Sequence, residues 1–129
     1  FLVIMALLED FYSLNALSFE GESCLNFSIQ INASHEIFNG HFPKFKVTPG
    51  VVMLQIVKNV LEQELHCKLQ LQQASQVKFL NVVEPDKNSE LNFEVSLTSE
   101  AEKISTKTLV SFPNGVVVLK CNAIFVKKT

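Results

Sequence analysis

A chain of 129 residues has the length of one domain, with material for a single core and too little for two. Its 47% hydrophobic and 19% charged residues exclude disorder of the whole chain, and a formal net charge of -2 with no basic run longer than Lys127 and Lys128 argues against nucleic acid as a partner. The three cysteines, Cys24, Cys67 and Cys121, are odd in number and widely spaced in apolar or mixed settings, which suits buried thiols in a reducing, cytoplasmic compartment.

The opening FLVIMALLEDF is apolar for eight residues before Glu9 and Asp10 and lacks a basic flank, so it fits neither a signal peptide nor a membrane span. Met5 as a natural start behind an artificial lead at residues 1–4, and excision from a longer chain, are both compatible with it. Residues 12–19 form a weak strand candidate, with Gly21 in the turn that follows. In residues 24–32, Leu25, Phe27, Ile29 and Ile31 alternate with Asn26, Ser28, Gln30 and Asn32, the period of a strand with one buried face.

A long helix is expected over residues 49–65, with Thr48 as its cap and Pro49 at the first helical position, where a missing N-H costs nothing. Its apolar positions, among them Val51, Val52, Met53, Leu54, Ile56, Val57, Val60 and Leu61, cover more than one stripe, so the helix should be wrapped by its surroundings. Residues 76–83 read as a strand, and residues 85–88 as a turn. Leu91, Phe93, Val95 and Leu97 then alternate with polar neighbours. Two more strands, 104–112 and 116–126, flank Pro113, Asn114 and Gly115, where Asn-Gly favours the positive backbone angles of a tight hairpin.

Six strands with one nearly buried helix after the second describe an α+β domain spanning residues 1–129, an antiparallel sheet curled around the helix in the hot-dog architecture. Such a sheet leaves an edge strand exposed, and pairing two sheets edge to edge makes a homodimer the expected minimum.

The segment HEIFNGHFPKFKVTPGVVMLQIVKN resembles the 3-hydroxyacyl-acyl-carrier-protein dehydratases, whose motif runs Gly-His-Phe-Pro-Gly-x-Pro-x-x-Pro-Gly-Val-Leu-x-x-Glu-x-x-x-Gln. Gly40, His41, Phe42, Pro43, Pro49, Gly50 and Val51 match in register, and the likeness continues through the segment VKFLNVVEPDKNSELNFEV. The resemblance implies that His41 removes the α proton of a (3R)-hydroxyacyl thioester, a task suited to an imidazole that titrates near working pH. It also implies that the backbone N-H of Gly50 binds the thioester carbonyl, with Phe42, Val51 and Asn59 beside the substrate.

The departures bear on mechanism. Gln55 stands where the family carries its acid, Asn59 where it carries a supporting glutamine, and Lys44 and Lys46 replace a glycine and a proline. An amide hydrogen-bonds but cannot deliver a proton and be restored as a carboxylic acid is. Loss of a general acid costs about 10²- to 10⁴-fold in rate, so slow dehydration, dehydration with His41 serving both steps, and no dehydration all stay open. Gln55 also shares a helical stripe with Lys58, Asn59 and Glu62, which reads equally as the polar side of the helix. The two loop lysines fit either attraction to an acidic carrier protein or plain solvation.

His35 and His66 lack a comparable setting and read as core or surface residues. The zinc-helix pattern would need a histidine at the position of Asn39, so no metal is expected, and no cofactor motif or phosphate loop occurs. Three functions follow. The first is a dehydratase-like hydro-lyase acting on acyl-carrier-protein or coenzyme A thioesters in fatty acid or related acyl-chain biosynthesis. The second is a thioesterase on the same fold, and the third a non-catalytic subunit that binds acyl chains or carrier protein, whose missing acid a dimer partner could supply.

Overall fold

Alternation of apolar and polar residues shapes the sheet, and the computed structural model, which describes residues 10–34, 50–84 and 86–128, shows how closely. Among the described residues, six strands and one helix follow in the order β1 (Tyr12–Glu20), β2 (Cys24–Ile31), α1 (Gly50–Leu65), β3 (Leu69–Phe79), β4 (Glu90–Glu100), β5 (Lys103–Ser111) and β6 (Val117–Lys127). They form one curled antiparallel sheet in the order β1-β2-β4-β5-β6-β3, with α1 packed against it. No helix among the described residues is long and apolar enough to cross a membrane.

The strict alternation in β2 and β4 places Leu25, Phe27, Ile29 and Ile31 beside Leu91, Phe93, Val95 and Leu97 on one buried face. Phe27 and Phe93 are register partners, and their rings stack 4.7 Å apart at an interplanar angle of 10°. Val52, Met53, Ile56, Val57, Val60 and Leu61 of α1 meet that face in a single core. In β5 two threonines take core positions, and Thr106 stays satisfied because its Oγ1 donates to the Ala123 carbonyl at 3.1 Å.

Two local features differ from the sequence reading. The turn after β5 spans residues 113–115 as expected, but of the Asn-Gly pair only Gly115 takes a positive φ (91°), and its N-H returns to the Phe112 carbonyl at 2.9 Å. Strand β3 runs from Leu69 to Phe79 where residues 76–83 were expected. Its first half, LQLQQAS, has little apolar alternation because it lies at the sheet edge and is largely exposed. Register shifts at Leu71/Gln73 and Ser75/Lys78, the second with Gln76 at φ 51°, blur the period further.

Candidate active site at the start of the helix

Four N-H groups in the first turn of a helix have no intrahelical acceptor, and the helix dipole makes that end positive. Gly50 is the first residue of α1, with Val51 next in the turn. A Cβ on Gly50 would run into the ring of Phe79 at Cε1 and Cζ, so any larger residue there requires that ring to move. Phe79 closes β3 and remains 60% exposed while standing against this turn.

Gln55 follows five positions along, about 7.5 Å further down the axis at 1.5 Å per residue. It is 6% exposed, and its Nε2 donates to Asn59 Oδ1 at 2.9 Å, the one-turn spacing that stacks side chains on a helix face. Lys58 is 8% exposed and pairs with Glu62 at 3.5 Å, while Glu62 Oε2 also accepts the Leu69 N-H at 2.8 Å. Gln55 and Lys58 are therefore internal, with Asn59 and Glu62 half-buried beside them, and polar groups inside a fold persist only where partners replace water.

Tyr12, at the start of β1, packs partly against the core within the electrostatic reach of Asn59. Burial pushes the Tyr12 hydroxyl above its ordinary value of 10.0, and the Asn59 hydrogen bond pulls it back in part. This end of β1 is well anchored: Tyr12 is in register with Ile31, the Asn32 N-H donates to the Phe11 carbonyl at 2.7 Å, and Asn32 Nδ2 to the Asp10 carbonyl at 3.0 Å.

Of the residues singled out in the sequence, Gly50, Val51, Gln55 and Asn59 thus lie along one helix. His41, Phe42, Pro43, Lys44, Lys46, Pro49 and His35 lie outside the described residues. His66 is exposed just past the end of α1, in the left-handed conformation at φ 55°. Sequence reasoning missed Tyr12 and Phe79. The chain uses eleven phenylalanines and a single tyrosine, a composition that singles out Tyr12 without placing it.

Among the described residues no group of three or more His, Cys, Asp or Glu side chains could hold a metal. Cys24, Cys67 and Cys121 are free thiols, and burial pushes Cys24 and Cys121 up, Glu94 and Glu20 adding to the shift at Cys24. Two concavities of about 390 and 350 Å3 are lined by strand residues and by none from α1.

Residues 18–112 match the model of the ApeI-like family, described as ApeI dehydratase. The chain belongs to the ApeI-like dehydratase family. Solved structures agree with this family's fold. The dehydratase heterocomplex ApeI:P from Xenorhabdus doucetiae superposes with a TM-score of 0.73 at 13% identity, over 88% of this chain and 96% of that one. The (R)-hydratase of A. caviae involved in PHA biosynthesis gives 0.63 at 16% identity, over 86% and 98%. A hypothetical thioesterase with coenzyme A from Streptococcus pneumoniae TIGR4 gives 0.66 at 9% identity, over 96% and 90%. At these identities the likeness is one of hot-dog fold. No curated protein matches the chain in sequence.

Proposed function

We propose that this ApeI-like chain is a (3R)-hydroxyacyl thioester dehydratase or hydratase in acyl-chain biosynthesis, taking substrates carried by acyl carrier protein or coenzyme A. The observation that carries the reading is Gln55: at the position of the family's acid it is 6% exposed and hydrogen-bonded within the fold, as a site residue is and a solvated surface amide is not. Gly50 would bind the thioester carbonyl through its backbone N-H at the positive end of α1, where enolate-like charge develops.

In this mechanism His41 takes the α proton, the C3-O bond breaks as the C2-C3 double bond forms, and the imidazolium returns the proton to the departing hydroxide as water. One group serves both steps, because Gln55 has no proton to give at a useful pKa. Val51, Phe42 and Asn59 complete the substrate-binding set. A homodimer joined through β3, at one free edge of the sheet, is the proposed assembly. The related ApeI:P structure, a heterocomplex, supports the variant in which a homologous partner supplies the missing acid. Three free thiols fit a cytoplasmic setting.

Hydration of crotonyl-coenzyme A by the native chain, His41→Ala and Gln55→Glu tests this. The expected order is a dead His41→Ala, a slow native chain, and a Gln55→Glu faster by up to about 10²-fold. The pH-rate profile should show one ionisation in the native chain and a bell in Gln55→Glu, where acid and base both titrate. Rates unmoved by either substitution remove this site from the mechanism.

A thioesterase is the second reading, favoured by the same amide, since a glutamine can orient a hydrolytic water without donating a proton. Release of free coenzyme A from acyl-coenzyme A, lost in His41→Ala, would select it over hydration.

A further inference from the structure

Strand by strand, the charges of the sheet are sorted by sign. Strands β1 and β4 carry Glu20, Glu90, Glu94 and Glu100 and β2 carries no charge, whereas β5, β6 and β3 carry Lys103, Lys107, Lys120, Lys127 and Lys78 and no carboxylate. The sheet order β1-β2-β4-β5-β6-β3 therefore has an acidic half and a basic half that meet between β4 and β5. Buried and exposed residues alternate in β4 and β5, so Glu90, Glu94, Glu100, Lys103 and Lys107 stand on the outer face, away from the helix. Lys78 and Lys120 join Glu94 and Lys107 around a hollow of about 350 Å3, while Ser18, Asn26, Ser28, Asn92 and Glu94 line one of about 390 Å3 toward the acidic half.

Lys78 and Lys120 are register partners, and like charges directly opposite in neighbouring strands repel. The ion pairs among the described residues, Lys58 with Glu62 and Lys87 with Glu84, include none of these outer-face lysines. Carboxylates brought from outside would offset the repulsion, and the other half of the same sheet presents them.

We propose that the outer face is a contact between two copies of this chain, related by a two-fold axis that runs parallel to the strands over the β4-β5 boundary. Such an axis lays β4, β2 and β1 of one copy over the partner's β5, β6 and β3 and keeps each residue at its own level along the strands. The register then fixes which residues meet. Glu94 is opposite Leu109 in its own sheet, so it comes over the partner's Leu109, with the partner's Lys107 two positions along that strand and the partner's Lys120 on the next. Glu100, opposite Lys103 in its own sheet, comes over the partner's Lys103. Each contact occurs twice, as an isologous interface requires. Six strands about 4.8 Å apart and about 30 Å long offer a face of about 900 Å2, beside about 800 Å2 per partner in a standard interface. The curl of the sheet keeps its rims out of reach, so the opposed charges decide the strength of the contact. It needs neither pairing at the β3 edge nor any reaction at the helix, and stands apart from both.

Sedimentation of the whole chain tests this in about 0.01 M salt, where charges act over about 30 Å, and in about 1 M salt, where they act over about 3 Å. The mass at low salt should be twice that at high salt, whatever assembly β3 makes, because backbone pairing is not screened in this way. Lys107→Glu and Glu94→Lys, both at exposed positions, should each hold the low-salt mass at the high-salt value. The double variant should double again, since both signs are exchanged together. The two single variants move the net charge of -2 in opposite directions, so a loss common to both is not an effect of overall charge. A native mass indifferent to salt, a doubling that survives either single exchange, or a double variant that stays at the lower mass overturns the proposal. In the first case, binding of poly-L-glutamate by the native chain and not by Lys107→Glu assigns the face to an acidic protein instead.

Discussion

Gly50 is the helix residue that stands against the Phe79 ring. A methyl group there meets the Phe79 ring, but that ring is the exposed end of a strand and can swing away. Gly50→Ala should therefore lose only about 1 kcal/mol in urea unfolding, and in a Phe79→Ala background the loss should vanish, since alanine otherwise suits a helix better than glycine. Tyr12 makes a second prediction, in pH. Its folded-state hydroxyl titrates above the ordinary 10.0, so the unfolded chain gives up this proton first as pH rises. The associated stability is complete below pH 10.0 and falls as pH climbs past it toward the folded value. Tyr12→Phe, measured by urea unfolding across that range, should show a shallower decline than the native chain. The positions of Gly50, Gln55 and Asn59 were legible because a helix converts sequence spacing directly into geometry. Tyr12 was not, because its meeting with Asn59 joins a strand to a helix 47 positions later, and no local period encodes it.

At the level of elements, β2, β4 and β5 were readable because each has one wet and one dry face, and the alternation records the difference. Strand β3 escaped that logic: among the described residues it has a neighbour on one side only, it is exposed along most of its length, and its two register shifts interrupt any period. What fixes its start is a side chain of the helix. Glu62 accepts the Leu69 N-H while pairing with the buried Lys58, so one carboxylate ties α1 to β3 across the turn that holds His66. Glu62→Ala should cost about 1–3 kcal/mol by chemical unfolding, leaving both a backbone donor and an ammonium without a partner. Glu62→Gln, which keeps an acceptor for Leu69, should recover part of that loss.

For the whole molecule, the pattern of strands around one apolar helix was enough to make the hot-dog fold legible in the sequence, and the family motif narrowed it further. The open edge makes its own prediction. Leu71 and Val77 are exposed on β3, an edge strand among the described residues, and an edge with apolar side chains invites a second sheet. If β3 joins two copies, replacing both residues by lysine should shift sedimentation from dimer to monomer while the far-ultraviolet circular dichroism stays native. The same topology also orders events in time. Strand β3 precedes β4, β5 and β6 in the chain, yet among the described strands its partner is β6, Leu69 meeting Lys127. On a ribosome the helix and β3 emerge well before the strand that secures them, so the apolar face of the helix waits through three further strands for its sheet to close, and a lag of that kind is where a chaperone would find it.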